Sequence, residues 1–124
     1  MQTKEQQRSA FALNQVQTIF GIPVSQDDAN FVVGVPTMIL TNGLGQTLAF
    51  LLAKGRQQHE KTFQAVQVWL GREIPDLAAS DKPAFLQKLA AADQRVYLRA
   101  QQEALAMLQW LKRYARAFQN KEQS

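Results

Sequence analysis

Apolar residues recur at helical spacing along most of this chain, and the polar residues between them mark where helices start and stop. Phe11, Ala12, Leu13, Val16, Ile19 and Phe20 predict an amphipathic helix from about Thr3 to Phe20. Gly21-Ile22-Pro23 ends it, because proline has no N–H to continue the ladder. Ser25 then offers a capping hydroxyl, and Asp27 and Asp28 sit where the dipole of a new helix favours negative charge. Phe31 to Leu40 is rich in β-branched residues and would suit a buried strand. No second convincing strand exists to pair with it, so the segment reads as helix, with Pro36 near a first turn or at a kink.

Thr41-Asn42-Gly43-Leu44-Gly45-Gln46 is a turn by composition, followed by a short apolar helix from Thr47 to Lys54 that Gly55 closes. Phe63, Val66, Trp69 and Leu70 predict a helix from about Gln57 to Leu70, ended by Gly71 and Ile74-Pro75. Ser80 or Asp81 caps the next, Lys82 to Ala91, where Pro83 is tolerated in the first turn. The longest helix runs from about Asp93 to Phe118. Val96, Tyr97, Ala100, Ala104, Met107, Leu108, Leu111, Tyr114 and Phe118 form its apolar face at about 100° per residue. Trp69, Trp110 and Leu111 are expected in the core, and the tail after Gln119 is expected to fray. The prediction is an all-α bundle of about five to seven helices in a single domain over residues 1–124.

Composition narrows the function classes. The 124 residues are 46% hydrophobic, enough for a real core. There is no cysteine, which removes disulfides, thiolate zinc sites and a Cys nucleophile. The polar N-terminus carries no secretory signal, and no apolar run approaches the roughly 20 residues of a membrane span. A cytoplasmic protein with no membrane partner is the expectation.

Enzyme readings lack parts. His59 is the sole histidine, and His59-Glu60-Lys61-Thr62-Phe63 places Phe63 where a zinc-protease helix needs its second ligand. His59 is therefore expected on a helix surface. Asp27 and Asp28 are adjacent and point apart on a helix. Gly43-Leu44-Gly45 lacks both the third glycine of a dinucleotide loop and the lysine of a phosphate-cradling loop. The expectation is no catalytic residue, no metal and no cofactor.

The net charge is +4, which permits attraction to nucleic acid without demanding it. Arg95, Arg99, Gln102, Gln109, Arg113 and Arg116 lie opposite the apolar face of the last helix. Arg95 to Arg116 would span about 31 Å at about 1.5 Å per residue, with only Glu103, toward the edge, acidic between them. Such a ladder can follow a phosphate backbone, or simply be solvated. Lys54, Arg56 and Lys61 form a second basic cluster around one helix junction. Leu98 and Leu105, one heptad apart on the margin of the polar face, suggest a protein contact beyond the core or a wide core stripe. A helix-turn-helix reader is disfavoured, because the helix after Gly45 is nearly all apolar.

The stretch Val35-Pro36-Thr37-Met38-Ile39-Leu40-Thr41-Asn42-Gly43-Leu44-Gly45-Gln46-Thr47-Leu48-Ala49-Phe50-Leu51 resembles the signature of a known family: the small α-helical subunit, the fifth, of the type III-B CRISPR (Cmr) effector complex. Tyr97, Ala100, Glu103, Ala104 and Leu105, then Trp110-Leu111-Lys112-Arg113-Tyr114-Ala115, fit as well. The resemblance implies a compact helical bundle without nuclease activity. It implies as partners other Cmr subunits, copies of itself, and guide and target RNA, which the subunit helps to hold in antiviral defence while other subunits cut. Asn42, Gly43, Leu44, Gly45 and Gln46 are expected to be structural, with Leu44 a buried wedge at a helix corner, although Gln46 is also placed to touch a partner. The alternative function is a helical protein-interaction module whose basic face is only solvated.

Overall fold

Helix α1, Lys4–Gln15, starts from a reciprocal capping box in the computed structural model, which describes residues 1–121. The Thr3 hydroxyl accepts from the Gln6 amide, and the Gln6 side chain accepts from the Thr3 amide, satisfying two otherwise orphaned donors. A π-helical turn, Val16–Phe20, extends α1 to Gly21. Helix α2, Gln26–Asn42, is capped by Ser25, whose hydroxyl accepts from the Asp28 amide at 3.1 Å. Phe31 to Leu40 lies wholly inside α2, as the absence of a pairing strand predicted. Of the two placements expected for Pro36, the first turn is not the one found: it stands in the helix interior, where a kink would place it. It is buried with Val32, Val35 and Ile39, so packing of this face offsets the lost backbone hydrogen bond.

The six-residue turn expected after α2 is a single residue. Helix α3, Leu44–Lys54, begins directly after Gly43. Helix α4, Gln57–Glu73, passes through Gly71 instead of stopping before it. A Cβ at Gly71 would stand 3.3 Å from the Ala78 Cα, so this glycine serves a close chain approach and not a helix end. A 3-10 turn, Pro75–Leu77, leads to α5, Lys82–Ala91, capped by the carboxylate of Asp81 and not by Ser80. Helix α6, Gln94–Ala117, is capped by Asp93.

The result is an all-α bundle with six α-helices among the described residues. Helix α6 packs mainly against α1 and α2, with α4 also beside it. Trp69, Leu111, Met107 and Leu108 are fully buried in the shared core. Trp110 is only half-buried, because its indole N–H leaves the core to reach Glu5 at 2.9 Å. Phe118 lies at the surface end of the apolar face.

After α6 the chain is clasped to the loop before α2. The Val24 amide donates to the Phe118 carbonyl and the Asn120 amide to the Val24 carbonyl, each at 2.7 Å. Asn120 is thus held where fraying was expected; residues 122–124 of that tail lie outside the described residues.

Candidate nucleic-acid interface

Helix α6 runs unbroken, so its arginines keep the register that the sequence assigns them. Arg95, Arg99, Arg113 and Arg116 are all exposed, as are Leu98, Gln102 and Gln109 between them. Among the described residues no hydrogen bond or ion pair holds Arg95 or Arg113. Arg99 donates to the Glu73 carbonyl at 3.1 Å. Arg116 donates to the side-chain oxygens of Asn30 at 2.8 Å and Gln119 at 2.7 Å. A guanidinium has five N–H donors, so both retain donors for another acceptor while their planes are steadied.

Glu103, the one acid expected near this face, points the other way. It is buried, 9% exposed, and its carboxylate meets Arg8 and the indole nitrogen of Trp69. The Arg8 guanidinium holds its pKa below the ordinary carboxylate value, against desolvation, and Trp69 adds to that effect. The negative charge of Glu103 is thereby confined between α1, α4 and α6, away from the outer arginines; the acids that share depressions with them are Asp93, beside Arg95, and Glu5, beside Arg113.

The second basic cluster is smaller than the sequence suggested. Lys61 turns inward, pairing with the buried Asp28 at 2.8 Å beside the Phe20 ring. Lys54 lies 5.8 Å from the Phe50 ring and Arg56 is exposed at the start of α4. His59 is not on the surface: it is 7% exposed, packed against Phe31 with ring centroids 4.2 Å apart. Burial pushes its pKa down, and the charges of Lys54 and Arg56 push the same way. The sequence does not show this, because Phe31 and Phe50, from other helices, cover the ring.

The Asn42–Gln46 corner is built by α6. Gly43 has φ +87°, a conformation that side chains rarely adopt, and its amide closes α2 by donating to the Ile39 carbonyl at 2.7 Å. Leu44 is fully buried, while Asn42 and Gln46 are exposed. The first amides of α3 are capped from a distance: Leu44 donates to the Gln101 side chain and Gly45 to the Tyr97 hydroxyl, each at 2.9 Å. A Cβ on Gly45 would come within 3.3 Å of that hydroxyl.

Leu98 and Leu105 part company. Leu98 is 47% exposed, whereas Leu105 is partly buried against the core. Sequence reasoning passed over the aromatic ladder Trp110, Tyr114 and Phe118, whose four-residue spacing was the available signal. A groove of about 750 Å3 beside α4 and the 78–83 loop contains none of the predicted site residues. Among the described residues no group of three His, Asp or Glu side chains is placed to hold a metal, and no helix is long and apolar enough to cross a membrane.

Comparison with known proteins adds a family. A family model described as CRISPR-associated protein (Cas_Cmr5) matches residues 4–118. The CRISPR system Cmr subunit Cmr5 of Thermus thermophilus is 32% identical over 84 residues, covering 67% of this chain and 67% of that protein.

Proposed function

The chain belongs to the CRISPR-associated Cmr5 family, and from that premise we propose that it is the non-catalytic small subunit of a Cmr RNA-guided effector complex, stacking along its backbone in antiviral defence. In this reading the outer face of α6 lies toward the RNA channel and helps to hold target RNA near the guide RNA. Membership of the family supports the place in a Cmr complex. The observation that carries the RNA role is the exposed row Arg95, Arg99, Arg113 and Arg116, with the charge of Glu103 turned into the core. Arginine forks suit phosphate oxygens, and contacts of this kind position a strand without reading its sequence.

Each arginine contributes modestly, so one copy binds RNA weakly. Several copies along one strand multiply that attraction through local concentration. Lys54 and Arg56 form a second, smaller surface for the same task; Lys61 is already paired. Reconstitution of the Cmr complex with and without this subunit tests the reading. Omission should weaken target-RNA binding while the remaining subunits keep their cutting chemistry. Unchanged RNA binding would favour the alternative, a protein-interaction module, for which the exposed Leu98 is the supporting observation.

A further inference from the structure

Helix α6 carries aromatic rings at successive four-residue steps beside its arginines. Trp110 and Tyr114 stack, with centroids 5.9 Å apart and planes inclined at 27°, and Phe118 continues the row 6.5 Å beyond Tyr114. The residue four positions before Trp110 is Ala106, whose methyl group is too small to cover an indole. Tyr114 therefore flanks Trp110 from the following turn, and on the side of Ala106 the indole borders an opening.

That opening is a cavity of about 250 Å3 lined by Glu5, Ala106, Gln109, Trp110 and Arg113. It is smaller than the roughly 300–1,000 Å3 of sites that enclose whole cofactors or drugs, a size suited to one flat ring system. Its walls are chemically mixed. Glu5 is fixed by Arg8 at 2.7 Å and by the Trp110 indole at 2.9 Å. These two partners keep its pKa below the ordinary value, so it is a carboxylate at neutral pH. Each carboxylate oxygen has a lone pair left for another donor. Gln109 offers both a donor and an acceptor. Arg113 also lines a second depression, toward α2, with Val33, Lys112 and Arg116, so it is the one cation at the edge of this slot.

We propose that this slot takes one unpaired nucleobase of a single strand, stacked on Trp110, with its edge against Glu5 and Gln109 and its adjoining phosphate on Arg113. The proposal rests on the RNA reading above and adds to it a specific subsite. An aromatic platform beside a cationic rim is the arrangement by which proteins hold single strands without sequence preference, since every base has a π-face. Purines, with more ring area, bind better than pyrimidines. Arg113 at the edge of the slot, continued along α6 by the exposed Arg116, favours a phosphate-bearing strand over the side chain of a neighbouring protein.

The test uses the full chain and a labelled single-stranded oligoadenylate, titrated at several salt concentrations. Trp110→Ala removes the platform. Ala106→Leu retains the indole, covers its open face and keeps a strong helix former at this position. With folding verified by circular dichroism, each variant should bind about tenfold more weakly, the scale of one lost base stack. The salt slope should not change, because no phosphate contact is removed. An oligonucleotide with interspersed abasic positions should bind the native chain more weakly, and bind the Ala106→Leu variant no worse than the intact strand does. If both folded variants bind as tightly as the native chain while replacement of the arginines weakens binding, the RNA reading stands and the base slot is overturned. If the native chain shows no salt-dependent binding at all, both are overturned. If the variants keep RNA affinity but lose assembly with Cmr subunits, the slot belongs to a protein contact and the proposal fails.

Discussion

Arg8 grips Glu103 with two nitrogens, Nε at 2.7 Å from Oε1 and Nη2 at 2.9 Å from Oε2, although 95 residues separate them in the chain. Oε1 also accepts from the Trp69 indole at 3.0 Å. One carboxylate thus joins α1, α4 and α6. Desolvating it is costly, and the paired hydrogen bonds offset that cost only while every partner is present. The arrangement sets the relative positions of the helices that carry Glu5 and Trp110.

Glu103→Ala should therefore destabilise the fold by about 1–3 kcal/mol, because it leaves the buried Trp69 indole N–H without its acceptor and Arg8 with Glu5 as its remaining carboxylate. Urea unfolding followed by circular dichroism measures this. A loss under about 0.5 kcal/mol, the scale of ordinary surface substitutions, would show that water replaces the carboxylate freely.

His59 gives a pH dependence of defined sign. Its folded pKa is depressed below the ordinary 6.5 by burial first and by Lys54 and Arg56 second. Between the two values the unfolded chain binds more protons than the folded one, so stability rises with pH there. The contribution is fully present above about 6.5 and is lost as pH falls through the folded value. Glu103, also depressed, has the same sign in the window below its ordinary 4.5. Thermal melts should show stability falling from pH 7 toward pH 5, and His59→Leu should flatten that window while leaving the acid limb in place.

Gly43→Ala should cost about 1–3 kcal/mol, the strain of a side chain held in a sparsely populated backbone region. Its ψ of 161° with φ of 87° lies in a region that only glycine visits readily. Thermal denaturation checks this, and near-native stability would mean that the α2–α3 corner relaxes to another geometry.

Replacing Arg95, Arg99, Arg113 and Arg116 together with Gln keeps helix propensity and removes the charge. The salt slope of RNA binding should become shallower by about 0.7 for each phosphate of the single strand that the arginines no longer neutralise. Normal assembly with unchanged affinity and slope would mark the face as merely solvated. Failure to assemble would assign the arginines to a protein interface.

Most helices were legible because their signals are local. Ser25 caps α2, Asp93 caps α6, Pro83 sits in the first turn of α5, and Gly55 closes α3. The arginine row was legible for the same reason, since one long helix fixes its register. The misses share a different cause. The corner at Gly43 is tight because Tyr97 and Gln101, more than fifty residues later, cap α3. His59 is buried by rings of two other helices, and Glu103 is drawn inward by Arg8 and Trp69. Gly71 looked like a helix end but accommodates Ala78. Composition and periodicity report a residue's own neighbourhood in the chain; these features depend on partners that only folding delivers. The open face of Trp110 falls between the two cases, since Ala106 is a local signal whose meaning depends on Glu5.

The pairing of Val24 with Phe118 and Asn120 fastens the end of α6, just beyond Arg116, to the loop that joins the first two helices. The last turn of a long helix ordinarily unwinds and rewinds on its own. Here that motion requires the α1–α2 connection to open as well, so the backbone that carries Arg113 and Arg116 is steadied at its end. In the RNA-holding role proposed above, less of the ordering entropy of association would fall on this end of the subunit and more on the strand, as for a preorganised template.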